Sequence, residues 1–287
     1  MDDLGPLMRV LRKERGFTLK TLSEGIISFS YLSKFENGES QISITNFIRL
    51  AQRLNLTVDE ILYFNQIKMN DYTEFFQKIS IAHVNQDVAK LKKYFAEENK
   101  LYEDYQIKFH QYNAVMIGAV IKDLEDNFQI PAEDVQELVD YLMVCSSWTS
   151  YEIGLFGNSL SLFTDDLLMI LLEEIKEKIM DYRVMRKSFR DLIRLVQNAA
   201  LIFLRKGEVE KASELSIFLA DIIVRDQYFE NTRQLFIDGV ILMASDQEKE
   251  GLDKVQQSLI IMDTLDKNLA ENHRLELQHL EAFYQQK

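Results

Sequence analysis

At 287 residues and a formal net charge of −13, the chain is long enough to bury a full hydrophobic core, as one large domain or as a small one followed by a larger one. Its 2 prolines and 10 glycines exclude an all-β sandwich or barrel, which needs a turn signal about every 8–12 residues, and predict an almost wholly helical, all-α protein. A single cysteine, Cys145, excludes an intramolecular disulfide and a cysteine-rich zinc site.

The acidic total hides an uneven distribution. Residues 1–64 carry 8 Lys+Arg and 8 Asp+Glu, so all the excess acid lies beyond them. Within 9–34 there are six bases (Arg9, Arg12, Lys13, Arg15, Lys20, Lys34) against two acids (Glu14, Glu24), a local positive patch in an acidic chain.

Residues 4–64 read as short helices. Leu7, Val10 and Leu11 mark one face of the first, which ends at Arg15-Gly16 with glycine in the post-helix position. Thr18 is the N-cap of a second short helix, with Leu19 and Leu22 inward. After the break at Gly25, Ser28 caps a third helix that runs to about Asn37-Gly38. Phe47, Leu50, Ala51 and Leu54 form the stripe of a fourth, and Thr57-Val58-Asp59-Glu60 is a capping box opening a fifth.

The strings Leu11-Arg-Lys-Glu-Arg-Gly-Phe-Thr-Leu-Lys-Thr-Leu, Tyr31-Leu-Ser-Lys-Phe-Glu-Asn-Gly-Glu-Ser and Phe47-Ile-Arg-Leu-Ala-Gln-Arg-Leu-Asn-Leu-Thr-Val-Asp-Glu-Ile-Leu resemble the phage-repressor (XRE) type of DNA-binding helix-turn-helix. The resemblance covers residues 1–65 and implies that the third helix enters the major groove of double-stranded DNA. Its outward polar residues Ser30, Tyr31 and Lys34 are then the expected base readers, with Lys34 donating to guanine. Thr18, Lys20, Ser28 and Asn37, near helix ends, and Arg12 and Arg15 are expected on phosphates. For Phe29 two readings stay open, packing against the second helix or touching a thymine methyl.

Residues 66–287 read as a series of amphipathic helices, over about 70–83, 86–97, 99–126, 131–145, 148–158, 164–182, 186–206, 208–224, 228–245, 248–263 and 266–285. Pro131 with Glu133 and Asp134 marks one start, and Arg205-Lys206-Gly207 one end. A shift of 39 residues lays Ala200 on Gly239, Ala212 on Gly251, and Leu201-Ile-Phe-Leu on Val240-Ile-Leu-Met. This pattern is similar to a degenerate tetratricopeptide (TPR-like) array, a right-handed stack of helical hairpins whose inner wall comes from the first helix of each pair. In that register Arg194, Gln197, Asn198, Leu201 and Leu204 line one repeat, with Arg190 a turn earlier. Arg233, Phe236, Ile237, Val240 and Met243 line the next. Such a groove suits an extended, mostly hydrophobic peptide carrying a carboxylate, with Asn198 pairing to its main chain.

With the string Trp148-Thr-Ser-Tyr-Glu-Ile-Gly-Leu-Phe-Gly-Asn, the whole chain resembles the Rgg/GadR/MutR regulators of streptococci and relatives. The resemblance implies a cytoplasmic homodimeric transcription factor on an inverted-repeat operator, and for many members a receptor for a short signalling peptide in quorum sensing. The alternative is a helix-turn-helix regulator controlled by a protein docking on the helical array, with no small peptide. Trp148 and Tyr151 read as core aromatics, and Cys145 as a buried small hydrophobe.

The remaining features point away from catalysis. His83, His110, His273 and His279 are scattered without zinc-site spacing, and no phosphate loop or nucleophile motif occurs, so neither catalytic residue, metal nor cofactor is expected. Met1-Asp2-Asp3 is no basic leader, and the longest apolar runs (114–121, 167–172, 199–204) fall short of the ~18–20 residues of a bilayer span. The expected location is the cytoplasm, with no membrane segment.

Overall fold

A computed structural model of the chain describes residues 4–65, 72–245 and 247–284. All regular structure in them is helical, with no β-strand among the described residues. The chain divides into two compact units, residues 1–75 and 76–287.

The first unit contains α1 (Leu4–Glu14), α2 (Leu19–Ser23), α3 (Phe29–Glu36), α4 (Ile44–Arg53) and α5 (Val58–Phe64). The expected caps form. Thr18 accepts from the Thr21 amide, Ser28 from Tyr31 and Thr57 from Glu60, each satisfying an amide that a helix start leaves unpaired. Met8, Leu22, Leu32, Leu50, Leu54 and Ile61 are the fully buried centre, one or two from each helix. Burial of this order offsets the chain entropy that five short helices would lose by forming alone.

The second unit begins within α6 (Tyr72–Val84) and continues through α7 (Val88–Tyr105), α8 (Lys108–Lys122), α9 (Ala132–Val144), α10 (Ser150–Gly157), α11 (Asp165–Lys178), α12 (Arg186–Lys206), α13 (Val209–Ile222), α14 (Tyr228–Ala244), α15 (Glu248–Leu265) and α16 (Lys267–Tyr284). Short 3-10 turns at Leu160–Leu162 and Ile179–Val184 flank α11. Successive helices pack in pairs, α7 on α8, α12 on α13 and α14 on α15, which is the helical-hairpin repeat.

The 39-residue repeat has a physical cause here. Ala200 and Ala212 are fully buried on α12 and α13. At the equivalent crossing of α14 with α15, a Cβ on Gly239 would lie 2.7 Å from the Gly251 carbonyl oxygen, and one on Gly251 2.5 Å from that of Gly239. The backbones meet there, and no larger residue fits without separating the helices.

One boundary differs from expectation. The sequence predicts a break near residue 98, whereas α7 runs on to Tyr105 and ends at Gln106, which adopts a left-handed φ of 56°. That position carries no glycine to announce it; the Gln106 side chain stabilises the turn by donating to the carbonyls of Tyr102 and Glu103. No helix among the described residues is long and apolar enough to cross a membrane.

Candidate functional site

Two surfaces merit description, one in each unit. In the first, α2, the turn after it and α3 form a helix-turn-helix. Lys34 is exposed on α3, and its side chain makes no ion pair or hydrogen bond among the described residues, so its ammonium is available to a ligand. Ser30 is exposed beside it, with its hydroxyl 3.2 Å from that of Ser28. Tyr31 is tied down, its hydroxyl donating to the Gln41 carbonyl, so it braces the segment after α3. Asn37 accepts from Arg9 (3.0 Å) and donates to Glu39 (3.2 Å). Arg15 and Lys20 are exposed. Phe29, the first residue of α3, is 62% exposed, which excludes tight packing against the second helix and leaves an aromatic ring at the leading edge of the reading surface.

Arg12 is a correction. It was expected on phosphate, yet it is buried, and its Nε and Nη2 each donate at 2.7 Å to one Glu36 carboxylate oxygen. Its Nη1 donates to the Phe17 carbonyl at 2.8 Å. The Glu36 carboxylate holds the guanidinium charged, above its ordinary range. This bidentate pair fixes α3 against α1, so Arg12 positions the reading helix from behind. Glu36 was not singled out in the sequence; a buried acid within one turn of the exposed Lys34 has no local signature.

The second unit holds a cavity of about 580 Å³, within the range of small-molecule and peptide sites. Its wall comes from the ends of α6, α8 and α10 and from the faces of α12, α14 and α16. From α12 it takes Asn198, Leu201, Ile202 and Arg205; from α14, Arg233; from α16, His273, Leu275 and Glu276. Of the expected peptide contacts, therefore, Asn198, Leu201 and Arg233 converge, with Arg233 Nη2 donating to Asn198 Oδ1 at 2.6 Å.

The other expected contacts separate from it. Arg194 is held by Glu230 (Nε to Oε1 2.8 Å) and lies over the Phe229 ring, 4.6 Å from its centroid. Arg190, a turn earlier, is exposed. Gln197 is fully buried and donates to the Glu230 carbonyl and to Gln234 Oε1, a polar bridge between α12 and α14. Phe236, Ile237 and Val240 are buried, not groove-facing. The reason is α16: it packs on α12, its His273 ring stands edge-on to Phe236 at 5.1 Å, and its Tyr284 hydroxyl donates to the Leu204 carbonyl. The C-terminal helix thus takes the space that the repeat register assigned to a ligand along α14, and turns the open stripe of α12 by about one residue, toward Ile202 and Arg205.

Burial sets the electrostatics of the cavity. It pushes the Arg233 guanidinium down to about 10 and lowers His83 and His273 from the ordinary imidazole value. The Asp123 carboxyl is raised by the same desolvation. Arg205 is raised instead by the bidentate hydrogen bonds it donates to Glu276. Elsewhere, Trp148 is buried against Phe156, as expected of a core aromatic. Cys145, expected to be buried, is only half-buried, its thiol 3.2 Å from the Ser147 carbonyl. No group of three or more His, Cys, Asp or Glu among the described residues is placed to hold a metal ion.

Comparison with known proteins agrees with this geometry. Residues 8–61 match the helix-turn-helix family, and residues 103–274 match the C-terminal domain of the HTH-type transcriptional regulator Rgg. The fold is shared with the Streptococcus dysgalactiae SHP pheromone receptor Rgg2, at 24% identity over 99% of this chain and 100% of that one, with a TM-score of 0.74. It is shared with a protein of Listeria monocytogenes EGD-e, at 19% identity over 98% of each chain and a TM-score of 0.82. The PrgX/cCF10 complex superposes with a TM-score of 0.73 at 14% identity, over 99% of this chain and 94% of that one. The Rgg C-terminal match alone spans more than half of the chain and lies C-terminal to the helix-turn-helix match: the chain belongs to the Rgg family of helix-turn-helix transcriptional regulators, a family of DNA-binding proteins rather than enzymes.

Proposed function

We propose that the chain is a cytoplasmic, peptide-responsive transcription regulator. It binds an inverted-repeat operator as a homodimer, with two α3 helices in half-sites about one DNA turn apart. Ser30 and Lys34 read bases, with the Phe29 ring against a thymine methyl. Arg15, Lys20 and the starts of α2 and α3 meet phosphates. A short signalling peptide enters the cavity of the second unit and shifts the dimer between two arrangements, by binding one more tightly than the other. The observation that carries the ligand half is the cavity itself: about 580 Å³, unfilled by the described residues, and mixing Leu201, Ile202 and Leu275 with the amide of Asn198 and the guanidinium of Arg233. That SHP and cCF10 are partners of the structurally similar Rgg2 and PrgX supports the same reading.

The competing reading, a protein docking on the array, draws support from α16, which already occupies the α14 side of the groove. A thermal-shift titration of the full chain separates the two. The secreted small-peptide fraction of the producing bacterium should raise the melting temperature, since a ligand at 100 times its dissociation constant adds about 2.7 kcal/mol. Asn198→Ala should abolish the rise. No rise in a protein that still binds DNA would transfer the function to the docking reading.

A further inference from the structure

Three arginines converge where α12, α14 and α16 meet, and only two have carboxylates. Glu230 accepts from Arg194, and Glu276 takes Arg205 through both of its oxygens. Asp123 lies toward the other end, beside Arg205 and His83. Arg233, between them, lies within 4.0 Å of no carboxylate oxygen among the described residues; its hydrogen bond to the neutral Asn198 does not cancel its charge. His273, the titratable neighbour on α16, adds no compensating negative charge. Glu276 and Glu230 act on Arg233 only at a distance, each being ion-paired to another arginine, and a partly buried cation with no carboxylate in contact is favoured where a ligand can supply one.

We propose that Arg233 is the anchor for a carboxylate of the peptide, the partner its own chain withholds. The site deepens the receptor reading and rests on it. Arg233 lines the cavity, so an entering carboxylate reaches it directly. It accepts from the guanidinium in place of Asn198 Oδ1, and the freed Asn198 amide then has both a donor and an acceptor for the peptide main chain. Arg194 and Arg205 stay with their own carboxylates and serve as internal controls.

Two measurements on the full-length protein test this. The first needs no ligand. Arg233→Met removes a charge that no contacting carboxylate balances and should raise the melting temperature by about 2–4 °C. Arg205→Met, which strands Glu276, should lower it. A lower melting temperature for Arg233→Met would make Arg233 a structural residue and overturn the proposal.

The second uses pools of random aliphatic octapeptides on immobilised protein: free acids, C-terminal amides, and amides carrying one Asp. The wild type should enrich one carboxylate-bearing pool over the plain amides by about 10- to 100-fold. Arg233→Gln should lose that preference while Arg194→Gln keeps it. Enrichment of the free acids assigns the peptide C-terminus, and of the Asp pool a side chain. Peptides retained without regard to a carboxylate would overturn the anchor and leave the receptor intact. Retention of none of the pools would overturn both.

Discussion

Arg12, in the last turn of α1, and Arg15, just past its end, are chemically identical, yet one is a buried strut and the other faces solvent. The difference lies 24 residues away, in whether Glu36 comes within reach. Removing one member of a buried ion pair strands the other, so Arg12→Ala should cost about 3–5 kcal/mol of the first unit's stability. Lys34→Ala removes an exposed, unpaired ammonium and should leave stability within about 0.5 kcal/mol, while costing about 1–3 kcal/mol of operator discrimination. Melting curves and operator titrations on both variants should show this crossed pattern. Equal loss of DNA binding in a fully folded Arg12→Ala protein would return Arg12 to the phosphate contacts. The same contrast explains what a sequence reader can and cannot see at this scale. Lys34 is readable because its solvent face follows from the period of α3, with Leu32 and Phe35 on the other side. Arg12 is misread because its partner comes from another helix.

Among the elements, the helix pairs were legible where packing demands a particular residue size. Ala200 and Ala212, both fully buried, mark one crossing, and Gly239 and Gly251, where a side chain would meet backbone, mark the equivalent one a repeat later. Gly251→Ala tests how rigid the α14–α15 crossing is. Its Cβ would lie 2.5 Å from the Gly239 carbonyl oxygen and 2.7 Å from the Met243 amide nitrogen, neither of which can swing aside. The helices must part, and overpacking of that kind costs about 1–3 kcal/mol. Glycine to alanine in a helix otherwise gains about 1 kcal/mol, so a stabilised variant would mean that the backbones are not in contact. The end of α7 was illegible for the opposite reason. Gln106 takes a left-handed conformation with no residue type to signal it, and the amphipathic period alone placed the break too early.

On the scale of the whole molecule, what sequence periodicity could not locate was the closure of the cavity. Of the groove register read from α12 and α14, Asn198, Leu201 and Arg233 reach the cavity, while Phe236, Ile237 and Val240 are buried. The wall that decides which face stays open is α16, more than 60 residues beyond α12 in the chain, which covers Phe236 and leaves Asn198, Ile202 and Arg205 exposed to the cavity. Charge is distributed on the same scale. The first 64 residues are neutral overall and the rest carries −13, so any attraction to DNA must come from the few exposed cations of the helix-turn-helix and not from the net field. This makes the salt dependence diagnostic. If Arg15, Lys20 and Lys34 of each protomer meet phosphate or base, the dimer places six cations on the duplex, and the log–log slope of affinity against salt should be about −5. Lys20→Ala removes two of them at once and should reduce the slope by about 2, weakening all sequences alike, because a phosphate contact carries no base information. Lys34→Ala should instead flatten the preference between operator and random DNA. A slope unchanged by Lys20→Ala would take Lys20 off the phosphate backbone, and a slope near zero in the wild type would remove the helix-turn-helix from DNA altogether.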